Sequence, residues 1–182
     1  PESGFDVARA LVGSEGTLVT ILRAEVALVP VVPRTRLLAL GFGDIVDAAR
    51  AVPTVTRHAP LIVEGLDSRL IGFQRAKGMN SDALELLPDG DGWLVVRLGA
   101  DDDETLRRRV AALRDAVAGL GPSVREYDDD EAEQVMRVRE SGLGATAHVP
   151  DMPDTWPGWE DSAVPPDRLG DYLEDFGHLL DE

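Results

Sequence analysis

The first stretch able to bind a ligand is residues 13–18, which read G-S-E-G-T-L. Gly13 and Gly16 bracket a turn where the backbone can approach another molecule closely, and free N–H groups on such a turn suit the edge of a dinucleotide or a flavin. A Gly-x-x-Gly turn ahead of a strand is also an ordinary structural feature. The spacing alone therefore leaves both interpretations open.

The second stretch is residues 135–140, V-M-R-V-R-E. A guanidinium is a planar fork that can pair with both oxygens of a carboxylate. Arg139 is therefore our candidate for binding a substrate carboxylate. The alternative is a surface arginine that pairs with Asp130 or Glu133 on its own helix.

No set of residues for a catalytic mechanism or a metal site stands out. The chain has no cysteine, which leaves no thiolate ligand or cysteine nucleophile. His58, His148 and His178 are far apart and form no H-x-x-x-H pair. The aspartates at 101–103 and 128–130 predict helix caps rather than a calcium loop. We name no catalytic residue and no metal ligand.

The net charge of the chain restricts the classes of partner that it can bind. Eighteen basic residues against 34 acidic ones give a net charge of −16, which repels nucleic acid and anionic lipid. A small anionic substrate would then need an arginine close to it. No apolar run could span a bilayer, and the N-terminus lacks a targeting signal and looks like the cut end of a longer protein. We expect a cytoplasmic location.

The first 33 residues are predicted to end one domain. Residues 17–32 are rich in Val, Leu, Ile and Thr, which favours one or two strands. Pro30 and Pro33 then indicate a domain junction. We therefore divide the chain into residues 1–33 and 34–182.

The second part alternates strands and helices. Strands are predicted at 36–42, 60–64, 93–98 and 123–127, and a short extended piece at 162–164. Helices are predicted at 44–52, 66–77, from 101–103 to Gly119, from 128–130 to about 140, and after Pro165. The clearest amphipathic stripe is Leu106, Val110, Leu113, Val117 and Leu120. The predicted strand core is Leu38, Leu40, Ile62, Leu94 and Val96.

Two successive strand-helix-strand units define the predicted fold class. Their order is that of an α+β ferredoxin-like sandwich with duplicated strand-helix-strand units, and we expect the helices on one side of a single sheet. The alternative is a small parallel sheet with helices on both faces.

Residues 13–18, followed by a strand ending at Pro30, resemble the G-S-E-G-T-L block of the FAD-linked oxidase family. That family includes D-lactate, glycolate and D-2-hydroxyglutarate dehydrogenases, and in it the block closes the FAD-binding domain and lines the flavin. The resemblance implies that Gly13, Ser14, Glu15, Gly16, Thr17 and Leu18 form part of the cofactor wall. The family usually has a further glycine where Val19 stands.

Two further blocks carry the resemblance. Residues 135–140 are similar to the family's W-x-x-R-E block, whose arginine clamps the substrate carboxylate, which implies that role for Arg139. Residues 157–165, P-G-W-E-D-S-A-V-P, resemble the bacterial branch fused to an iron–sulfur region. A substrate-binding lysine of hydroxyglutarate-type relatives falls at Trp159, so its role does not transfer.

The resemblance implies an FAD-dependent oxidoreductase acting on a small 2-hydroxy acid such as D-lactate, glycolate or D-2-hydroxyglutarate. Residues 1–33 would end its FAD-binding domain, and residues 34–182 would be an incomplete FAD-linked oxidase C-terminal domain that caps the substrate. Any iron–sulfur cluster and any metal-binding histidine block would lie outside this segment. We expect the rest of the FAD-binding domain as a partner, leave a homodimer open, and expect the chain alone to be inactive. The alternative is a non-catalytic ferredoxin-like module that binds a ligand or a partner.

Overall fold

A computed structural model of the chain describes residues 4, 6–154 and 163–181. The chain divides into two compact units, Pro1–Val31 and Val32–Glu182. In the first unit, helix α1 spans Val7–Gly13 and begins at Asp6, whose carboxylate accepts a hydrogen bond from the Arg9 amide. Of the described residues, no helix is long and apolar enough to cross a membrane.

The strands predicted over residues 17–32 are absent, so that prediction is wrong. A β-branched composition favours a strand only where the side chains pack on a half-buried sheet surface. Here the side chains stand in solvent: Leu28 is 92% exposed and Val29 is 83% exposed. With no neighbouring strand among the described residues to pair with, the segment stays irregular.

The second unit is built on a four-stranded sheet. Its strands are β1 (Arg34–Phe42), β2 (Ile62–Asp67), β3 (Gly92–Ala100) and β4 (Ser123–Tyr127), in the order β2-β3-β1-β4 with every neighbour antiparallel. Strand β3 lies between β1 and β2, and strand β1 lies between β3 and β4. The two β-α-β units, one ending in β2 and the other in β4, therefore interleave. This confirms the predicted ferredoxin-like α+β class and excludes the parallel alternative.

The helices of this unit begin mostly at aspartates. Their bounds are α2 (Ile45–Thr56), α3 (Ser68–Ala76), α4 (Ser81–Leu84), α5 (Asp103–Ala118), α6 (Asp129–Glu140), α7 (Gly142–Thr146) and α8 (Leu169–Asp181), the last preceded by a 3₁₀ turn at Pro166–Arg168. Asp44, Asp67, Asp102 and Asp128 each accept a hydrogen bond of 2.7–2.8 Å from the backbone N–H three residues later. The predicted caps in both aspartate runs are thus confirmed.

One face of the sheet packs against α2 and α5. The strands contribute alternate apolar residues, including Leu38, Leu40, Leu94 and Val96, all of which are predicted core residues and all buried. Helix α5 contributes four residues of its predicted amphipathic stripe, Leu106, Val110, Leu113 and Val117. The prediction of the stripe is therefore confirmed except for Leu120. Leu120 follows the end of the helix and is 49% exposed.

The opposite face is covered as well, by α3, α4 and α6, so the prediction of helices on one side is wrong. The core on this face contains the strand residues that point away from α2 and α5, such as Leu37 and Val95. They pack against helix residues such as Ile71 and Val138. The physical reason lies in the strands. Every residue of β1 from 37 to 42 is buried, and a strand that is apolar on both faces needs a layer on each.

Three smaller predictions also need correction. Ile62 is only half-buried because β2 is an edge strand. Leu66 belongs to β2 rather than to a helix, and helix α3 begins at Ser68 once Asp67 caps it. The predicted loop at 78–82 runs into the short helix α4.

A stability test follows from the close approach of β3 to the start of α2. A Cβ at Gly92 would collide with backbone atoms of Asp44 and Ile45, whereas one at Gly72 in α3 would meet nothing within 4 Å. We expect Gly92→Ala to lower the free energy of unfolding by about 3 kcal/mol. Gly72→Ala should raise it by about 0.5–1 kcal/mol, because alanine is the better helix former. Urea denaturation of both variants measures this, and equal effects would contradict the packing described.

Candidate functional site

The block at residues 13–18 forms an exposed turn after α1. The Ser14 side chain donates to the Leu11 carbonyl at 2.7 Å, and the Thr17 amide donates to the Ser14 carbonyl at 2.9 Å. Glu15 and Gly16 both have a left-handed backbone, with φ of 48° and 79°. Within the described chain, the amides of Gly16 and Leu18 donate to no other group. The turn thus presents unused N–H donors to its surroundings.

Arg139 lies in the last turn of α6 and reaches the sheet. Its Nη2 is 3.1 Å from Oε1 of Glu64 on β2, with the two side chains 47% and 31% exposed. The acids expected on the same helix, Asp130 and Glu133, form no ion pair with it among the described residues. The structure therefore anchors the guanidinium between a helix end and an edge strand.

A buried amide fixes the end of α6. Gln74 of α3 is fully buried, and its Nε2 donates to the Val138 carbonyl at 2.8 Å, one residue before Arg139. Its Oε1 accepts a hydrogen bond from Asn80, whose amide also contacts the Ser141 hydroxyl, both at 2.9 Å. Since buried polar groups are costly when unpaired, these bonds hold α6 and α3 in one register.

Lys77 extends this network to α7. Its Nζ donates to the carbonyl oxygens of Gly144, at 2.8 Å, and of Ala147. We did not predict Gln74, Lys77 or Glu64 from the sequence. The only signal was a glutamine in the apolar stripe of a predicted helix, three residues after Ile71.

Tyr127 closes the same layer at the end of β4. Its hydroxyl donates to the Leu86 carbonyl at 2.8 Å, and burial raises the pKa of the phenol well above its ordinary value. It therefore keeps its proton at neutral pH and serves as a structural donor rather than as a general base.

Two open cavities lie away from these residues. One of about 650 Å³ borders α5 and β4 and is lined by Arg36, Arg107, Arg114 and Glu126, among others. The other, of about 580 Å³, lies among α2, β2 and α8 and is mostly apolar, with Val63, Leu94 and Leu173 in its wall. Neither of these two is lined by a residue predicted to bind substrate or cofactor.

The stretch from residue 148 to residue 165, which contains the P-G-W-E-D-S-A-V-P block, is only partly described. His148 Nδ1 lies 3.4 Å from Asp154 Oδ1, and both side chains are largely exposed. Residues 155–162, including Trp159 and the start of the predicted extended piece at 162–164, lie outside the described residues. In the described part of the chain, no three His, Asp or Glu side chains converge as metal ligands.

The sequence of the second unit matches a known family. Residues 32–182 match the family described as FAD linked oxidases, C-terminal domain, and the chain therefore belongs to that family.

Named relatives extend the match. The chain is 28% identical over 190 residues to a D-2-hydroxyglutarate dehydrogenase of Pantoea ananatis, covering 97% of this chain and 19% of that protein. It is 29% identical over 192 residues to the Escherichia coli D-2-hydroxyglutarate dehydrogenase, with the same coverage of 97% and 19%. A D-lactate dehydrogenase of Archaeoglobus fulgidus is 25% identical over 182 residues, covering 99% of this chain and 38% of that protein. The chain thus spans about a fifth of the length of the D-2-hydroxyglutarate dehydrogenases.

The network around Gln74 generates a second prediction. Gln74→Leu removes the side-chain donor of the Val138 carbonyl and one of the two acceptors of the Asn80 amide, and should lower the free energy of unfolding by about 2 kcal/mol. The control is Gln134→Leu, because Gln134 makes only a 3.4 Å contact with the Asp130 carbonyl on its own helix. We expect about 0.5 kcal/mol or less from it. Chemical denaturation compares the two, and a control as damaging as Gln74→Leu would contradict the role of the network.

Proposed function

We propose that the protein containing this chain is an FAD-dependent oxidoreductase that oxidises a small 2-hydroxy acid such as D-2-hydroxyglutarate, D-lactate or glycolate. The observation that carries the proposal is the family match over residues 32–182, joined to relatives named for D-2-hydroxyglutarate and D-lactate. When bound, FAD supplies the redox chemistry by accepting a hydride from the substrate. The residues of this chain would bind and orient the flavin and the substrate.

The turn at residues 13–18 is our proposed part of the flavin wall. Its chemistry fits, because the unused amides of Gly16 and Leu18 are donors for carbonyl, ring nitrogen or phosphate groups. A Cβ at Gly13 or Gly16 would meet nothing within 4 Å. Packing within the chain therefore does not require glycine at 13, whereas a close external group would.

Residues 1–33 are our proposed end of the FAD-binding domain. Leu22, Leu28, Val29 and Val31 are each more than 80% exposed, which is unusual for a run of large apolar residues. Burial against the rest of an FAD-binding domain would remove that surface from water. An iron–sulfur cluster elsewhere in the protein, a cytoplasmic location and a homodimer remain part of the proposal.

Arg139 is our proposed clamp for the substrate carboxylate. Its contact with Glu64 shows a guanidinium directed at a carboxylate from a fixed helix end. A guanidinium has five N–H donors, so Arg139 can keep Glu64 and still bind a second carboxylate. Glu64 would then orient the clamp, and the clamp would orient the substrate.

A second function, a non-catalytic ligand-binding module, has one observation in its favour. The cavity among α2, β2 and α8 encloses about 580 Å³ and has a mostly apolar wall. That volume lies in the range of small-molecule pockets. A ligand that binds the isolated chain there, without flavin, would favour this alternative.

The clamp gives a third prediction, for the full-length enzyme. Arg139→Ala should lower kcat/KM for the preferred 2-hydroxy acid by the equivalent of about 2–4 kcal/mol, because the substrate loses a charged bidentate partner. Arg139→Lys should recover little, since an ammonium lacks the planar fork. Arg137→Ala is the matched control, because Arg137 is also in the last turn of α6 and is exposed. Normal turnover by Arg139→Ala would refute the clamp.

A fourth prediction concerns the chain by itself. The turn at 13–18 offers one wall, which buries too little of FAD to offset the cost of association. We expect no flavin to remain on the purified 182-residue chain after gel filtration. The full-length protein is the positive control. Stoichiometric flavin on the chain alone would show that residues 1–33 do not need the rest of an FAD-binding domain.

A further inference from the structure

Arg97 occupies an unusual position in the sheet. It is on β3, next to the edge strand, and is the one residue of that strand that is not buried. Side chains alternate along a strand, so Arg97 shares its face with Trp93 and Val95, which pack in the layer of α3, α4 and α6. Its neighbours across the sheet are Ile62 on β2 and Leu37 on β1.

The charge of Arg97 has no partner in the described part of the chain. The other half-buried cationic side chains there all have one: Arg36 and Lys77 donate to backbone carbonyls, as does Arg109, and Arg125 pairs with Glu131. Taking a charge partly out of water without a partner is unfavourable. Arg97 is therefore a half-buried arginine whose guanidinium is available to an anion from outside the chain.

Arg97 lies beside the pair formed by Arg139 and Glu64. Glu64 is opposite Val95 in the register of β2 with β3, so Arg97, two residues on, is its diagonal neighbour on the same face. Diagonal neighbours have Cβ atoms about 7–8 Å apart, within the span of long side chains. Arg139 reaches Glu64 from α6 on this same face. Arg97 thus stands next to the Arg139–Glu64 pair in the register of the sheet, and these three residues together carry one positive charge in excess.

We propose that Arg97 is a second anion-binding residue, and that it selects 2-hydroxy acids carrying a second carboxylate. This inference rests on the proposed function and on Arg139 holding the first carboxylate. A substrate with one carboxylate leaves Arg97 unpaired, whereas a dicarboxylate engages both guanidiniums. The relatives named for D-2-hydroxyglutarate act on a dicarboxylate of this kind.

The test compares two substrates in the full-length, FAD-loaded enzyme. Arg97→Gln removes the charge and keeps most of the side-chain length. We expect kcat/KM for D-2-hydroxyglutarate to fall roughly 10- to 100-fold, mainly through KM, because a charge-assisted bond is lost. Turnover of D-lactate should change less than about threefold, because its single carboxylate stays on Arg139. Arg97→Lys should restore part of the loss, since it restores the charge.

A binding measurement and a control complete the design. Glutarate, a dicarboxylate without the reacting hydroxyl, should inhibit the Arg97→Gln enzyme about tenfold more weakly than the parent enzyme. The control is Arg107→Gln, which removes an exposed arginine of α5 on the other face of the sheet. It should leave both substrates and glutarate inhibition unchanged.

The outcomes separate this inference from the proposed function. If Arg97→Gln affects both substrates equally or neither of them, Arg97 has no selective role and the inference is wrong. If the parent enzyme oxidises only monocarboxylic 2-hydroxy acids, the inference also fails while the proposed function stands. If the flavin-loaded parent enzyme oxidises no 2-hydroxy acid, both the inference and the proposed function are wrong.

Discussion

The pairing of β1 with β3 is the constraint on which the rest of the second unit depends. The two strands pair without interruption from Arg34 with Ala100 to Phe42 with Gly92, and most of their residues are buried. Because both faces are apolar, each must be covered, and the chain supplies α2 and α5 for one and α3, α4 and α6 for the other. The second layer brings α6, and with it Arg139, over the sheet.

The position of α6 in that second layer is set by polar contacts as much as by packing. A helix that rests on leucine and valine alone can slide, since apolar contacts have little directionality. The bonds of Gln74 to Val138 and Asn80 are directional and buried, so they fix the end of α6 relative to α3. Glu64 then meets Arg139 from strand β2 of the sheet. Two independent elements thus hold one guanidinium.

Local patterns in the sequence predicted most elements but not their neighbours. The bounds of β4, the aspartate caps and the α5 stripe follow from residue types within a few positions, and these were confirmed except for Leu120. The strands expected before Pro33 failed because β propensity needs a partner strand. The contact of Arg139 with Glu64 was missed for a related reason. It joins residues 75 positions apart, and Glu64 and Arg97 become diagonal neighbours only when β2 lies beside β3, which the sequence does not state.

The net charge of −16 does not prevent this face from binding an anion. Two unit charges 4 Å apart interact by about 4 kcal/mol at an effective dielectric constant of 20, whereas charges 15 Å apart across water interact by about 0.3 kcal/mol before screening. Physiological salt screens exposed charges beyond about 8 Å. Most acids in the described part of the chain are solvent-exposed, so their repulsion is weak at the sheet. A single guanidinium at contact distance from a carboxylate outweighs many of them. The overall acidity therefore discriminates against large anionic surfaces such as nucleic acid, whereas for a small carboxylate the proposed contacts with Arg97 and Arg139 would outweigh it.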